Sequence, residues 1–82
     1  MFKVYILYSP LCKKYYTGHT QDLDNRLIEH NDGETKSIKN CKPWKLVWQV
    51  EVASRAEAMQ IENKIKKRGA GRFLRDMNIS LG

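Results

Sequence analysis

The sequence predicts an α+β fold in which helices pack on a small three-stranded antiparallel sheet. Three observations support this class. Two stretches alternate apolar with other residues, two have helical periodicity, and turn-forming residues separate them. The predicted order is β-β-α-β-α with a last short helix, which gives a layer of helices on a sheet. With 82 residues, the chain is expected to form one domain spanning residues 1–82.

The first two strands are predicted to form a hairpin. Between Phe2 and Ser9, apolar residues at every second position indicate a strand. The dipeptide Ser9-Pro10 ends this strand and opens a short turn. Residues 14–19 (KYYTGH) are rich in aromatic and β-branched side chains, which is typical of the returning strand.

Helices and a third strand follow the hairpin. Thr20 or Asp22 can cap a first helix, and Asn31-Asp32-Gly33 marks its end. Residues 32–43 are polar and are predicted to form a loop. The third strand has the clearest alternation in the chain, with apolar residues at Trp44, Leu46, Trp48, Val50 and Val52. The last short helix is indicated by Phe73, Leu74 and Met77.

The charge of the chain favours nucleic acid as a partner. Its 15 Lys and Arg residues outnumber 9 acids, which gives a net charge of +6, and most of this excess lies between Arg55 and Arg75. Residues 22–34 are acidic instead, so one side of the molecule is expected to carry a positive potential and another side a negative one. A solvated helix face with cations near its C-terminal end is the alternative interpretation of residues 64–68.

Several other classes of protein are disfavoured. The longest apolar run, Val4 to Leu7, is too short for a membrane span or a signal peptide, so the cytoplasm is the expected location. Binding to a membrane surface lacks its usual basic amphipathic helix with bulky aromatic residues. Cys12 and Cys41 do not have CxxC spacing, and both are expected to be ordinary thiols.

Polar residues on the first helix have two possible interpretations. Leu23, Leu27 and His30 share one face, and Arg26 flanks it. Polar groups on a face patterned for burial need partners, which makes a functional site one interpretation. The alternative is structural: Arg26 extends to the rim of the core while His30 is hydrogen-bonded inside it.

The second helix raises the same question. A capping box, Ser54-Arg55-Ala56-Glu57, begins this helix, and Gly69 ends it. Glu62 lies on the shoulder of its apolar stripe, which consists of Ala58, Ile61 and Ile65. The carboxylate could pair with Lys66 one turn later, or it could face the sheet and hold a divalent cation.

Five positions together resemble the GIY-YIG nuclease superfamily. Val4-Tyr5-Ile6 and Tyr16-Thr17-Gly18 resemble its paired signature, although Val4 stands in place of the first glycine and Thr17 in place of the middle isoleucine. Arg26 and His30 follow at the helix positions of the family's arginine and its His or Tyr, and Glu62 resembles its metal-binding glutamate. The resemblance extends from residue 2 to about residue 75.

The resemblance implies a metal-dependent endonuclease that hydrolyses phosphodiester bonds in DNA, in repair or recombination. Glu62 would hold one Mg²⁺ or Mn²⁺ ion, and either Tyr5 or His30 would be the general base. The expected catalytic residues are Tyr5, Tyr16, Arg26, His30 and Glu62. The expected nucleic-acid-binding residues are Gly18, Lys64, Lys67, Arg68, Arg72 and Arg75.

Three alternatives stay open at this point. RNA could replace DNA as the substrate, and a protein partner could supply targeting. A domain that keeps the fold and the basic face but only binds nucleic acid is the alternative to an enzyme. Intact residues at all five signature positions favour the enzyme, because a binding module does not need a carboxylate near phosphate.

Overall fold

A computed structural model describes residues 1–32, 41 and 43–77, with the backbone alone at positions 30 and 32. Most of the predicted loop at residues 32–43 therefore lies outside the described residues. The elements are β1 (Phe2–Ser9), β2 (Lys14–Thr20), α1 (Leu23–Asp32), β3 (Lys45–Val52), α2 (Arg55–Arg68) and α3 (Ala70–Asp76). They form one antiparallel sheet of order β2-β1-β3, which confirms the predicted α+β class. No described helix has both the length and the apolar character that a membrane crossing requires.

The central strand β1 is buried on both of its faces. Its residues 4–7 are at most 1% exposed. Val4 and Ile6 pack against apolar residues of α2 and α3, whereas Tyr5 and Leu7 pack against α1 through Leu23. The helices therefore cover both faces of the sheet. Because β2 is an edge strand, side chains from α1 on one face and α2 on the other can both reach its free edge.

A β-bulge divides the apolar residues of β3 between the two faces. Strict alternation would place Trp44 and Trp48 on the same face of the sheet. The register instead shifts, because Ile6 pairs with Trp48 and Leu7 pairs with Leu46. The extra residue reverses the side-chain direction along the strand. Trp44 and Leu46 consequently pack in the Tyr5 cluster, while Trp48 packs in the Val4 cluster.

The helix ends follow the local signals in the sequence. Asp22 caps α1, since its Oδ1 accepts a hydrogen bond from the backbone N of Asn25 at 3.1 Å. Ser54 caps α2 in the same way through the backbone N of Glu57 at 3.2 Å. Gly69 ends α2 with a φ of +92°, a conformation that favours glycine.

The two cysteines form a disulfide, so the expectation of ordinary thiols was wrong. Cys12 lies in the turn after β1, and Cys41 lies shortly before β3. Buried Ser9 links them, because its hydroxyl accepts from the backbone N of Cys12 at 3.1 Å and donates to the carbonyl of Cys41. Their separation of 29 residues carries no pairing signal, and only the folded sheet brings their Cα atoms to 5.4 Å.

Candidate functional site

Gly18 leaves the space that the Tyr5 ring occupies. Tyr5 on β1 pairs with Gly18 on β2 across the ladder. A Cβ atom added to Gly18 would lie 2.7 Å from Tyr5 Oη and 3.3 Å from Tyr16 Cε1. Tyr16 stacks on Tyr5, with ring centroids 6.3 Å apart. Close approach of the Tyr5 ring therefore explains this glycine, and the contact with nucleic acid expected for Gly18 stays a prediction.

Gly18→Ala should destabilise the fold by about 1–3 kcal/mol, because the added methyl group overlaps the Tyr5 hydroxyl in a buried site. Urea unfolding of the two proteins measures this difference in free energy. The same substitution should cost less in a Tyr5→Phe background, which lacks the overlapping oxygen. An equal cost in both backgrounds would show that the Tyr5 hydroxyl is not what excludes a side chain at position 18.

Arg26 connects α1 with the Tyr5 hydroxyl. Its guanidinium hydrogen-bonds to Tyr5, and its Nη1 donates to Glu29 Oε2 at 3.0 Å. These two partners, Glu29 first, raise the pKa of Arg26 above its ordinary value. The side chain is still 44% exposed, so the charged fork is oriented by two partners and is accessible to an anion.

The surroundings of Tyr5 oppose its ionisation. Burial and, to a smaller extent, Tyr16 raise the pKa of Tyr5 from 10.0 to about 12, although the hydrogen bond from Arg26 acts in the opposite direction. The charge of Glu62 also raises the pKa of Tyr5. Tyr5 is therefore a neutral phenol at neutral pH, and its hydroxyl can donate a hydrogen bond.

Tyr5 should ionise only at high pH, because its surroundings in the folded protein raise its pKa to about 12. Absorbance at 295 nm should show a component with a midpoint near pH 12, and Tyr5→Phe should lack it. Because the folded pKa is raised, the Tyr5 contribution to stability is present below pH 10 and is lost as the pH rises toward 12. A Tyr5→Phe titration that loses an ordinary component near pH 10 instead would contradict this assignment.

Glu62 faces the sheet and has two partners. Its Oε1 lies 3.0 Å from Nδ1 of His19 on β2, and its Oε2 accepts from Lys66 Nζ at 3.3 Å. The carboxylate is 15% exposed. Glu62 therefore forms the predicted ion pair with Lys66, and its carboxylate also lies against β2, as a carboxylate that faces the sheet would.

A cleft joins the α1 side of the site to the α2 side. Its lining residues are Phe2, His19, Thr20, Gln21, Asp22, Arg26 and Arg55. His19 in this cleft contacts Glu62, and Arg26 in the same cleft contacts Tyr5. Arg55 lies over the Phe2 ring, with its Cζ atom 5.5 Å from the centroid. Tyr5, Arg26 and Glu62 thus reach one region from three different elements.

Sequence reasoning did not identify His19 and Arg55 as site residues. His19 directly follows the Tyr16-Thr17-Gly18 signature, and this position next to the signature is the sequence feature that could have identified it as a site residue. Arg55 was assigned to the capping box and to the basic segment between Arg55 and Arg75. The structure does not describe the side chain of His30, so its expected role lies outside the described residues.

The basic cluster of α2 lies apart from this cleft. Lys64, Lys67 and Arg68 line a second groove, together with Phe73, Asp76 and Met77. Helical periodicity places these cations on the opposite side of α2 from Glu62 and Lys66. Arg68 makes two hydrogen bonds to Asp76, at 2.9 and 3.1 Å. The expected nucleic-acid-binding residues Arg72 and Arg75 are exposed on α3.

The family model described as the GIY-YIG catalytic domain matches residues 1–72. The chain belongs to the GIY-YIG family. This family consists generally of endonucleases. The match includes every expected site residue except Arg75.

UPF0213 proteins are among the relatives of this GIY-YIG chain. One from Staphylococcus saprophyticus is 39% identical over 69 residues, which are 80% of this chain and 83% of that protein. UPF0213 protein YazA of Bacillus subtilis is 36% identical over 66 residues, which are 77% and 67% of the two chains. The solution NMR structure of a UPF0213 protein from Bacillus halodurans has a TM-score of 0.59 at 30% identity, covering 99% of this chain and 89% of that chain.

The donor set at Glu62 fits the divalent metal that GIY-YIG nucleases typically use. Within the described residues, no group of three or more His, Cys, Asp or Glu side chains is placed to hold an ion. A single carboxylate is sufficient for Mg²⁺, which keeps several of its waters. Glu62 is a partly buried carboxylate beside an imidazole, and carboxylates and imidazoles are both chemical groups that commonly bind metals.

Proposed function

We propose that this GIY-YIG protein is a metal-dependent endonuclease that hydrolyses phosphodiester bonds in DNA. One observation carries the proposal: an accessible arginine, a buried tyrosine and a partly buried carboxylate meet around the cleft. This set can bind a phosphate, position a water and hold a cation. In this proposal residues 1–82 act as one domain, and a protein partner supplies targeting.

The proposed cellular setting is DNA repair or recombination in the cytoplasm. The positive charge of the chain supports a nucleic-acid substrate. Because cytoplasmic reductants keep most thiols reduced, we expect the disulfide between Cys12 and Cys41 to be opened in this setting.

Arg26 is the proposed phosphate-binding residue. Its guanidinium is accessible, and Glu29 and Tyr5 fix its direction before a substrate arrives. Two parallel N–H donors match the non-bridging oxygens of a phosphodiester, and their interaction strengthens as negative charge develops there. A Mg²⁺ or Mn²⁺ ion at Glu62 would supply Lewis acidity and neutralise charge at the scissile phosphate.

Tyr5 is proposed to orient the attacking water and to pass on its proton. As a neutral phenol, Tyr5 accepts a hydrogen bond from Arg26 and keeps its own proton available for donation. It therefore does not start the reaction as a phenolate. Tyr16, which stacks on Tyr5, and His30 are the proposed relay partners. Imidazole, with an ordinary pKa of about 6.5, suits the final acceptor near neutral pH.

Cleavage assays test the proposal directly. The purified chain is incubated with branched, nicked and single-stranded DNA and with RNA, with and without Mn²⁺ or Mg²⁺. We expect cleavage only when the metal is present. Binding without cleavage of any substrate would overturn the proposal and favour the non-catalytic binding domain, in which His19 and Lys66 alone satisfy Glu62.

Neutralising the basic groove should weaken the salt dependence of binding. Replacing Lys64, Lys67 and Arg68 together by Gln removes three charges that could contact phosphates. The slope of log K against log salt should then become shallower, by at most about 3 units, because each lost phosphate contact contributes about 0.9. Fluorescence anisotropy of labelled duplex DNA between 50 and about 200 mM salt measures the slope.

A matched control removes three positive charges elsewhere. Lys13 and Lys14 lie at the turn between β1 and β2, and Lys45 pairs with Tyr8 near the same end of the sheet. Replacing these three by Gln changes the net charge equally and should leave the slope nearly unchanged. A larger effect in the control than in the groove variant would place the nucleic acid at the turn between β1 and β2 rather than in the groove.

A further inference from the structure

His19 adds a second potential metal ligand to the Glu62 site. Nδ1 of His19 and Oε1 of Glu62 are 3.0 Å apart, and the two side chains are 25% and 15% exposed. A hydrogen bond accounts for this distance. The same distance is also compatible with joint coordination, because two ligand atoms at right angles, each about 2.1 Å from one ion, lie about 3 Å apart.

The surroundings favour an open metal site at this pair. Lys66 pairs with the other oxygen of Glu62 at 3.3 Å, and Oε1 is the oxygen that lies next to His19. No third His, Cys, Asp or Glu completes the pair within the described residues, so further coordination positions stay available to water and phosphate oxygens. His19 also lines the cleft that contains Arg26, where the phosphate is proposed to bind.

We propose that His19 Nδ1 and Glu62 Oε1 together bind one divalent transition-metal ion. This inference rests on the proposed function and specifies the class of its metal. Imidazole nitrogen binds Co²⁺, Zn²⁺ and, more weakly, Mn²⁺, whereas Mg²⁺ prefers a shell of oxygen atoms. A mixed nitrogen and oxygen site therefore selects transition metals over Mg²⁺.

Metal binding to the full chain tests the inference without any cleavage assay. Isothermal titration calorimetry at fixed pH measures the affinity of the chain for Co²⁺, Mn²⁺ and Mg²⁺, each titrated separately and without nucleic acid. We expect Co²⁺ to bind at least about 10-fold more tightly than Mg²⁺. His19→Gln keeps a hydrogen-bond donor toward Glu62 but lacks imidazole. It should weaken Co²⁺ binding by about 100-fold and change Mg²⁺ binding by less than about 3-fold.

A second readout needs no variant. In the wild-type chain, bound Co²⁺ should give the NMR signals of the His19 ring large contact shifts, because contact shifts are transmitted through a metal–ligand bond. His19 ring signals without contact shifts in the presence of bound Co²⁺ would overturn the inference, even if His19→Gln failed to fold. Thermal unfolding in metal-free buffer shows whether each variant is folded.

The controls separate this inference from the proposed function. Lys66→Gln keeps both ligands and removes only a weak pair, since Lys66 is 56% exposed; it should bind Co²⁺ within about 3-fold of the wild-type affinity. Wild-type Co²⁺ affinity in His19→Gln, with loss of binding in Glu62→Gln, would overturn the role of His19 and leave the proposed function intact. Unchanged binding of Co²⁺ and Mg²⁺ in Glu62→Gln would overturn both.

Discussion

Glu62→Gln should abolish metal-dependent cleavage while the fold and the nucleic-acid affinity stay near their wild-type values. The amide is nearly isosteric with the carboxylate and can still hydrogen-bond to His19, but it lacks the charge that holds a divalent cation. We expect the cleavage rate on nicked or branched DNA in matched Mn²⁺ to fall by at least about 10³-fold. Circular dichroism and anisotropy check the fold and the affinity.

Lys66→Gln is the matched control for this variant, because it removes the other partner of Glu62 and keeps the carboxylate. The variant should retain cleavage, and its unfolding free energy should change by about 0.2–0.5 kcal/mol, as for an exposed pair one turn apart. Cleavage by Glu62→Gln at the wild-type rate would remove the centre of the proposed mechanism. The pair with Lys66 would then be the remaining role of Glu62.

Arg26→Ala should lower turnover much more than it lowers affinity for DNA. A residue that binds the phosphate gains most of its interaction as negative charge develops in the transition state. We expect the single-turnover rate to fall by about 10²–10³-fold and the Kd to rise by less than about 5-fold. The hydroxyl of Tyr5 also loses its donor, so the pKa of Tyr5 should move further upward.

Glu29→Gln separates the charge of Arg26 from its positioning, because it weakens one of the two partners that hold the guanidinium. Its turnover should lie between those of the wild-type chain and Arg26→Ala. Equal losses of turnover and affinity in Arg26→Ala, or loss of its stable fold, would instead support the structural interpretation of an arginine at the rim of the core.

Local sequence patterns were sufficient for the elements of this fold. Alternation predicted β1 and β3, Ser54 caps α2 as its spacing predicted, and Asp22 is the one of two predicted candidates that caps α1. These features depend on residues a few positions apart, so the sequence carries them directly. The family signature depends on spacing in the same way. It predicted a site that contains Tyr5, Arg26 and Glu62; the fold brings Arg26 to Tyr5, and the catalytic roles of these residues stay a prediction.

Contacts between distant residues were decided only by the tertiary structure. The bulge in β3 moved Trp44 to the opposite face from Trp48, because pairing with β1 sets the side-chain direction. The disulfide between Cys12 and Cys41 was missed, because a separation of 29 residues contains no information about their distance in space. The need for glycine at position 18 was also decided by the tertiary structure, because the Tyr5 ring of the neighbouring strand occupies the space of a side chain there.

The site itself shows the same division. The sequence by itself determined that Glu62 is on the shoulder of the apolar stripe of its helix, because helical phase depends only on spacing. It could not determine that His19 is the side chain facing Glu62, since 43 positions separate them and their contact depends on how α2 docks against β2. Docking also placed Lys64, Lys67 and Arg68 in a groove away from the cleft. The spacing of residues along one helix or strand determines which of them share a face, and the packing of helices and strands against one another determines which residues that face contacts.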